Sequence, residues 1–144
     1  MPTDRDNVPV MSEMLGNVPA LDQSGAQASF KYKVKTALKA TAYTCTRADS
    51  GTHFYSAVTT TYTLPAVATS TGCEYWFAST AVDATVTITA PAGTMVAFNN
   101  TAATSIALDQ AGMMCGFIAH AVCTGTKWIT TVEVGNILQV ITVA

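Results

Sequence analysis

The sequence predicts an all-β domain, a β-sandwich or jelly-roll-like fold, carried behind an extended N-terminal arm. Three observations carry that expectation. From Phe30 onward apolar residues recur at period two, as they do in strands with one buried face. Turn-forming residues interrupt this pattern every 8–12 positions, the spacing of short strands in a sandwich. The chain also contains 24 threonines, many in runs such as Thr59-Thr60-Thr61, and threonine fits a pleated, half-exposed surface without carrying charge. At 144 residues the chain suits one domain rather than two.

Residues 1–29 read as the arm. They hold Pro2, Pro9, Pro19, Gly16 and Gly25 and show no alternation. Within them Met11, Met14, Leu15 and Val18 fall at i, i+3, i+4 and i+7, one face of a helix of about two turns between Pro9 and Pro19. So short a helix is not stable alone, so it must dock on its own domain, a sister subunit or another protein.

Residues 30–144 read as the sandwich. In the first strand Phe30, Tyr32, Val34, Thr36 and Leu38 alternate with Lys31, Lys33, Lys35 and Ala37, which predicts the first set buried and the second wet. Further strands are expected at 41–46, 53–58, 59–64, 73–78, 85–89, 94–98, 105–108, 114–122, 127–133 and 137–143. Between them lie Asp49-Ser50-Gly51, Ser70-Thr71-Gly72, Pro91-Ala92-Gly93, Asn99-Asn100, Gln110-Ala111-Gly112, Gly125 and Gly135-Asn136, each suited to a turn. Neither a fixed-period repeat nor a helical pattern beyond two turns follows residue 29.

Charge is scarce. Asp, Glu, Lys and Arg make up 11% of the chain, against about 25% in an ordinary soluble domain, while 49% is hydrophobic, which excludes disorder for the bulk of it. A monomer of this size exposes about 7,000 Å², or about 440 Å² for each charged side chain. Either a threonine-rich neutral surface keeps it in solution, or an assembly covers much of it. The net charge of −2 argues against a nucleic-acid partner. Residues 1–29 are acidic on balance, and Lys31, Lys33, Lys35, Lys39 and Arg47 form a basic segment without an acid. These lysines are either solvated strand positions or the side that meets an acidic partner.

No basic segment leads into an apolar one at the start, and the longest apolar stretch, 111–122, contains His120 and is too short to cross a bilayer. A cytosol-made chain without a membrane partner is expected. Cys45, Cys73, Cys115 and Cys123 are too sparse for a disulfide scaffold and read as small buried hydrophobes.

Catalytic patterns are weak. Cys115, His120 and Cys123 on one strand cannot share a metal, because the cysteines would lie about 26 Å apart with the histidine on the other face. Asp49, Ser50 and His53 have the composition of a triad, but neighbours on one turn and strand do not converge on one atom, and no Gly-x-Ser-x-Gly elbow is present. Carboxylates are scattered, and no phosphate loop or calcium loop occurs. His53 reads as a strand residue at a surface or interface. In Tyr75-Trp76-Phe77 the outer two face one side and Trp76 the other, which is either an intersubunit face or a second buried one. Trp128 reads as a core anchor. No enzyme activity, cofactor or metal is expected.

Five segments taken in order carry a family resemblance: Thr46-Arg47-Ala48-Asp49-Ser50-Gly51-Thr52-His53-Phe54, Tyr62-Thr63-Leu64-Pro65-Ala66, Gly72-Cys73-Glu74-Tyr75-Trp76-Phe77, residues 86–93 (VTITAPAG) and Gly125-Thr126-Lys127-Trp128. This order resembles small β-sandwich domains of tailed-bacteriophage virion proteins, over about 60% of the chain. Such domains occur in capsid decoration (cement) proteins and in the heads of tail fibres and spikes. The resemblance implies a homotrimer on the outer capsid surface, bound to the major capsid protein, with no catalytic residues. One compact domain with an arm suits a cement protein, and the head of a tail fibre or spike is the alternative. Val10, Met11, Met14, Leu15 and Val18 would then dock on the coat or a neighbouring subunit, and Lys31, Lys33 and Lys35 would steer toward an acidic coat surface.

Overall fold

A computed structural model of the chain describes residues 34–109, 117–133 and 140–144, and the description that follows concerns these. The fold is all-β and sandwich-like, as expected. Its strands are β1 (Lys35–Leu38), β2 (Tyr43–Thr44), β3 (Thr52–Ser56), β4 (Thr60–Thr63), β5 (Glu74–Ser79) and β6 (Val86–Thr89), followed by β7 (Met95–Ala97), β8 (Asn100–Ala103), β9 (Ser105–Asp109), β10 (Ile118–Cys123), β11 (Trp128–Glu133) and β12 (Val140–Val143). One sheet has seven strands in the order β1-β3-β5-β10-β11-β7-β8. The other has five, β12-β9-β6-β4-β2.

The first half of the domain winds between the sheets. β1, β3 and β5 are parallel neighbours in the larger sheet, and β2, β4 and β6 are parallel neighbours in the smaller one. Each connection therefore crosses the core, and the chain makes three turns of a flattened coil. Parallel neighbours need a crossover rather than a tight hairpin, and here a strand of the opposite sheet provides it. The second half is mostly antiparallel, β10 lying between β5 and β11 and β9 between β6 and β12, with β7 antiparallel to β8 but parallel to β11. A jelly roll built from antiparallel Greek keys would lack the parallel coil.

Alternation along the strands builds the core. β3 shows it plainly: Thr52, Phe54 and Ser56 are buried while His53 and Tyr55 are half-buried. Phe54, Tyr75 and Phe77 of the larger sheet meet Tyr62 of the smaller, with the Tyr62 ring 5.4 Å from Phe54 and 4.9 Å from Phe77. Val86, Ile88, Ile106, Leu108, Met95 and Trp128 complete the layer. The Trp128 indole N–H donates to the Pro65 carbonyl at 3.0 Å, joining β11 to the chain leaving β4. Burial pushes the Cys45 thiol and the Tyr62 hydroxyl up, each to about 12, so both are neutral in the core at ordinary pH. Cys45, Cys73 and Cys123 are free and buried, as read from the sequence, and Cys115 lies outside the described residues.

Several expectations change. The face assigned to the first strand is inverted: Val34 and Leu38 are 60% and 71% exposed, whereas Ala37 packs against the core. The cause is pairing. β1 joins β3 in a register that sets Thr36 beside His53 and Leu38 beside Tyr55, and these β3 residues point away from the core. The strand expected at 41–46 shortens to β2, because Thr46 turns into a 3-10 segment, Arg47–Asp49. There the Asp49 carboxylate accepts the Thr46 N–H and hydroxyl at 2.8 and 2.7 Å and the Tyr43 hydroxyl at 3.0 Å. Burial works against that carboxylate, but these donors and the Lys35 charge outweigh it and hold its pKa below the usual value. Asn99-Asn100 is not itself the turn: Phe98 and Asn99 make it, Phe98 with φ of 51°, and Asn100 opens β8, a strand the sequence did not suggest.

Candidate functional site on the outer face of the larger sheet

Cross-strand registers place side chains on the face of the seven-stranded sheet that points away from the core. Thr36, His53, Trp76, His120 and Thr131 lie in one row across β1, β3, β5, β10 and β11. The next row is Leu38, Tyr55, Ala78, Ile118 and Glu133, and the row on the other side holds Glu74, Val122 and Ile129. Strands lie about 4.8 Å apart, close to the stacking distance of two flat rings, so aromatic side chains in one row stack when each takes the same rotamer.

They do so here. The His53 and Trp76 rings are 4.5 Å apart and 13° from parallel, and Trp76 and His120 are 4.3 Å apart at 11°. Each of the chain's two histidines thus covers one face of a single indole. His120 Nε2 is 3.3 Å from the Glu74 carboxylate, both groups being part-exposed. Along the stack an open cavity of about 400 Å³ is lined by His53, Tyr55, Trp76, Phe117, Ile118 and Thr80 among others. Two of its hydroxyls are engaged: Ser79 donates to the Ala81 carbonyl at 3.0 Å and Thr80 to that of Ser56 at 3.3 Å.

This arrangement limits the chemistry. Nucleophilic catalysis requires a hydroxyl or thiol in hydrogen-bond reach of the imidazole, and among the described residues His120 bonds Glu74 and no such nucleophile. No cluster of three His, Cys, Asp or Glu side chains able to hold a metal occurs among the described residues. Trp76 also lacks a free ring face on which a sugar could stack. What remains is a largely apolar, aromatic surface whose cavity has its Ser79 and Thr80 hydroxyls already paired, which suits an apolar side chain better than a polar metabolite.

Of the residues singled out from sequence, Val10, Met11, Met14, Leu15, Val18, Lys31 and Lys33 lie outside the described residues. Lys35 is exposed on β1, and its ammonium donates to the Ala48 carbonyl at 2.7 Å beside Asp49, so it is tied to its own domain. Tyr75 and Phe77 are core while Trp76 is half-buried on the outer face, so the sandwich core does not take up both sides of that triplet. Trp128 is a core anchor, as read. Sequence reasoning handled His53, Trp76 and His120 separately and missed their union. They stand 23 and 44 positions apart in the chain, and only the pairing of β5 with both β3 and β10 brings them together.

Among the described residues no helix is long and apolar enough to cross a membrane. No family model matches the chain, and searches of curated proteins and of solved structures return no significant match.

Proposed function

We propose that the chain is a capsid decoration protein, which binds the outside of an assembled phage head and stabilises it by bridging capsid subunits. The observation that carries this reading is the outer face just described: apolar, aromatic and poor in charge, it is built to be covered by protein. The segments that resemble tailed-bacteriophage virion domains support it, as does a charged fraction of only 11%. On this reading the protein is not an enzyme and works as a homo-oligomer, a trimer by the resemblance, at the surface of the virion. Each bound copy favours the assembled shell because it binds the lattice and not the free coat subunit, a gain of RT ln(1 + [L]/Kd). The arm, through Val10, Met11, Met14, Leu15 and Val18, supplies the coat contact.

The test is decoration of phage heads stripped of surface proteins. The full chain is expected to bind in hundreds of copies and raise the temperature at which the heads break, and a chain lacking residues 1–29 is expected to fold but not bind. Failure of the full chain to bind heads removes the reading. A few tens of copies at the tail, with binding to host surfaces, would instead identify the head of a tail fibre or spike.

A further inference from the structure

We propose that the outer face of the seven-stranded sheet, centred on the His53–Trp76–His120 stack, is the surface on which a second copy of this chain packs. The proposal stands on the sheet face and not on the capsid reading.

Shape comes first. Leu38 stands at the edge of this face on β1, 71% exposed, an apolar knob with nothing over it among the described residues. A few ångströms across the same row begins the open cavity beside Tyr55, Trp76 and Ile118, about 400 Å³ and with its Ser79 and Thr80 hydroxyls already paired. Each copy therefore carries both an apolar knob and an apolar hole on one surface, the condition for a self-complementary contact.

Size and charge agree. Five strands at about 4.8 Å and three outward rows about 6.8 Å apart give a flat footprint of about 480 Å² per copy. Two copies then cover about 960 Å², which reaches the order of 1,000 Å² that a specific interface requires. Ile118 and Ile129 add exposed apolar area to it. Glu74 and Glu133 occupy the neighbouring rows rather than the stack. An acidic partner finds no lysine or arginine in these rows to pair with, whereas another face of the same composition fits the Leu38, Ile118 and Ile129 side chains.

Sedimentation velocity on the full chain, from about 1 to about 100 μM at neutral pH, tests this. The wild type is expected to associate. Leu38→Glu with Ile118→Glu, both at exposed positions, is expected to abolish association without altering the circular dichroism spectrum. A wild type that stays monomeric, or an assembly that survives the double substitution, overturns the proposal. A chain that associates in this way yet ignores phage heads keeps it and removes the capsid reading.

Discussion

Replacing Trp128 with Phe tests how the two layers are tied together. Trp128 is fully buried, its ring 5.6 Å from that of Tyr75, and its indole N–H donates at 3.0 Å to the carbonyl of Pro65, just past β4 of the opposite sheet. Phenylalanine retains an aromatic ring in the core but removes the donor and about 40 Å³ of volume, which at about 24 cal/mol per Å³ costs about 1 kcal/mol. The Pro65 carbonyl loses its partner in a part-buried setting, worth about 1–2 kcal/mol more. The sum is about 2–3 kcal/mol, a large share of the about 5–15 kcal/mol that holds an ordinary domain together. With a urea slope of about 1.5 kcal/mol per molar, the midpoint should fall by about 1.3–2 M at unchanged slope. Equilibrium urea unfolding followed by circular dichroism measures it. A fall of less than about 0.3 M would show that neither the bond nor the packing of this indole couples the sheets.

Two further outcomes follow from the buried ionisable groups and the turns. The Cys45 thiol and the Tyr62 hydroxyl are both raised to about 12 in the fold, from ordinary values of 9.0 and 10.0. Their contribution is complete below the unfolded-state values and is lost as pH rises toward 12, so the urea midpoint should be flat through neutrality and drop above about pH 9. Tyrosinate absorbance should rise together with unfolding, and ionisation of Tyr62 in a chain that is still folded would contradict the burial argument. Gly125, at φ +93°, turns β10 into β11, and an added Cβ there would lie 2.7 Å from the Thr71 hydroxyl. Thr71 is exposed and able to swing aside, so Gly125→Ala should cost about 1–2 kcal/mol in the urea midpoint, about what Gly51→Ala costs at φ +80° in open space. A much larger loss at Gly125 would mean that Thr71 is fixed in place.

Strands buried on one face were legible from sequence because burial and alternation share one cause: β3, β6 and β10 all follow the period of two, and β5 does so until Ala78 and Ser79, both buried, end it. β1 shows where that logic ends. Its larger apolar residues alternate with lysines, yet the small Ala37 turns inward, because β1 is an edge strand whose facing is set by its register with β3. β8 was hidden because Asn-Asn signals a turn whichever residue begins the strand, and here the turn falls one position earlier, with Phe98 in the left-handed region. Parallel pairing in the first half left no local trace, since each neighbour arrives only after the chain has crossed to the other sheet. For the same reason the candidate site was read as three unrelated aromatics. Its order comes from the register of three strands and not from any spacing in the chain.

The position of β10 has a consequence for how the molecule is made. The coil of β1 to β6 leaves the free edge of β5 facing nothing until residues 118–123 arrive, and β11, with β7 and β8 beyond it, joins the larger sheet only through β10. β10 is thus the keystone of the larger sheet, and it comes late in the chain. A ribosome that has released the first hundred residues holds three turns of coil with an unpaired hydrophobic edge, the state most exposed to strand-swapping with a neighbour. Slow, nonlocal closure of this kind favours post-translational rather than progressive folding. It also means that a truncation removing β10 and β11 leaves two separate fragments of a sheet rather than a smaller domain.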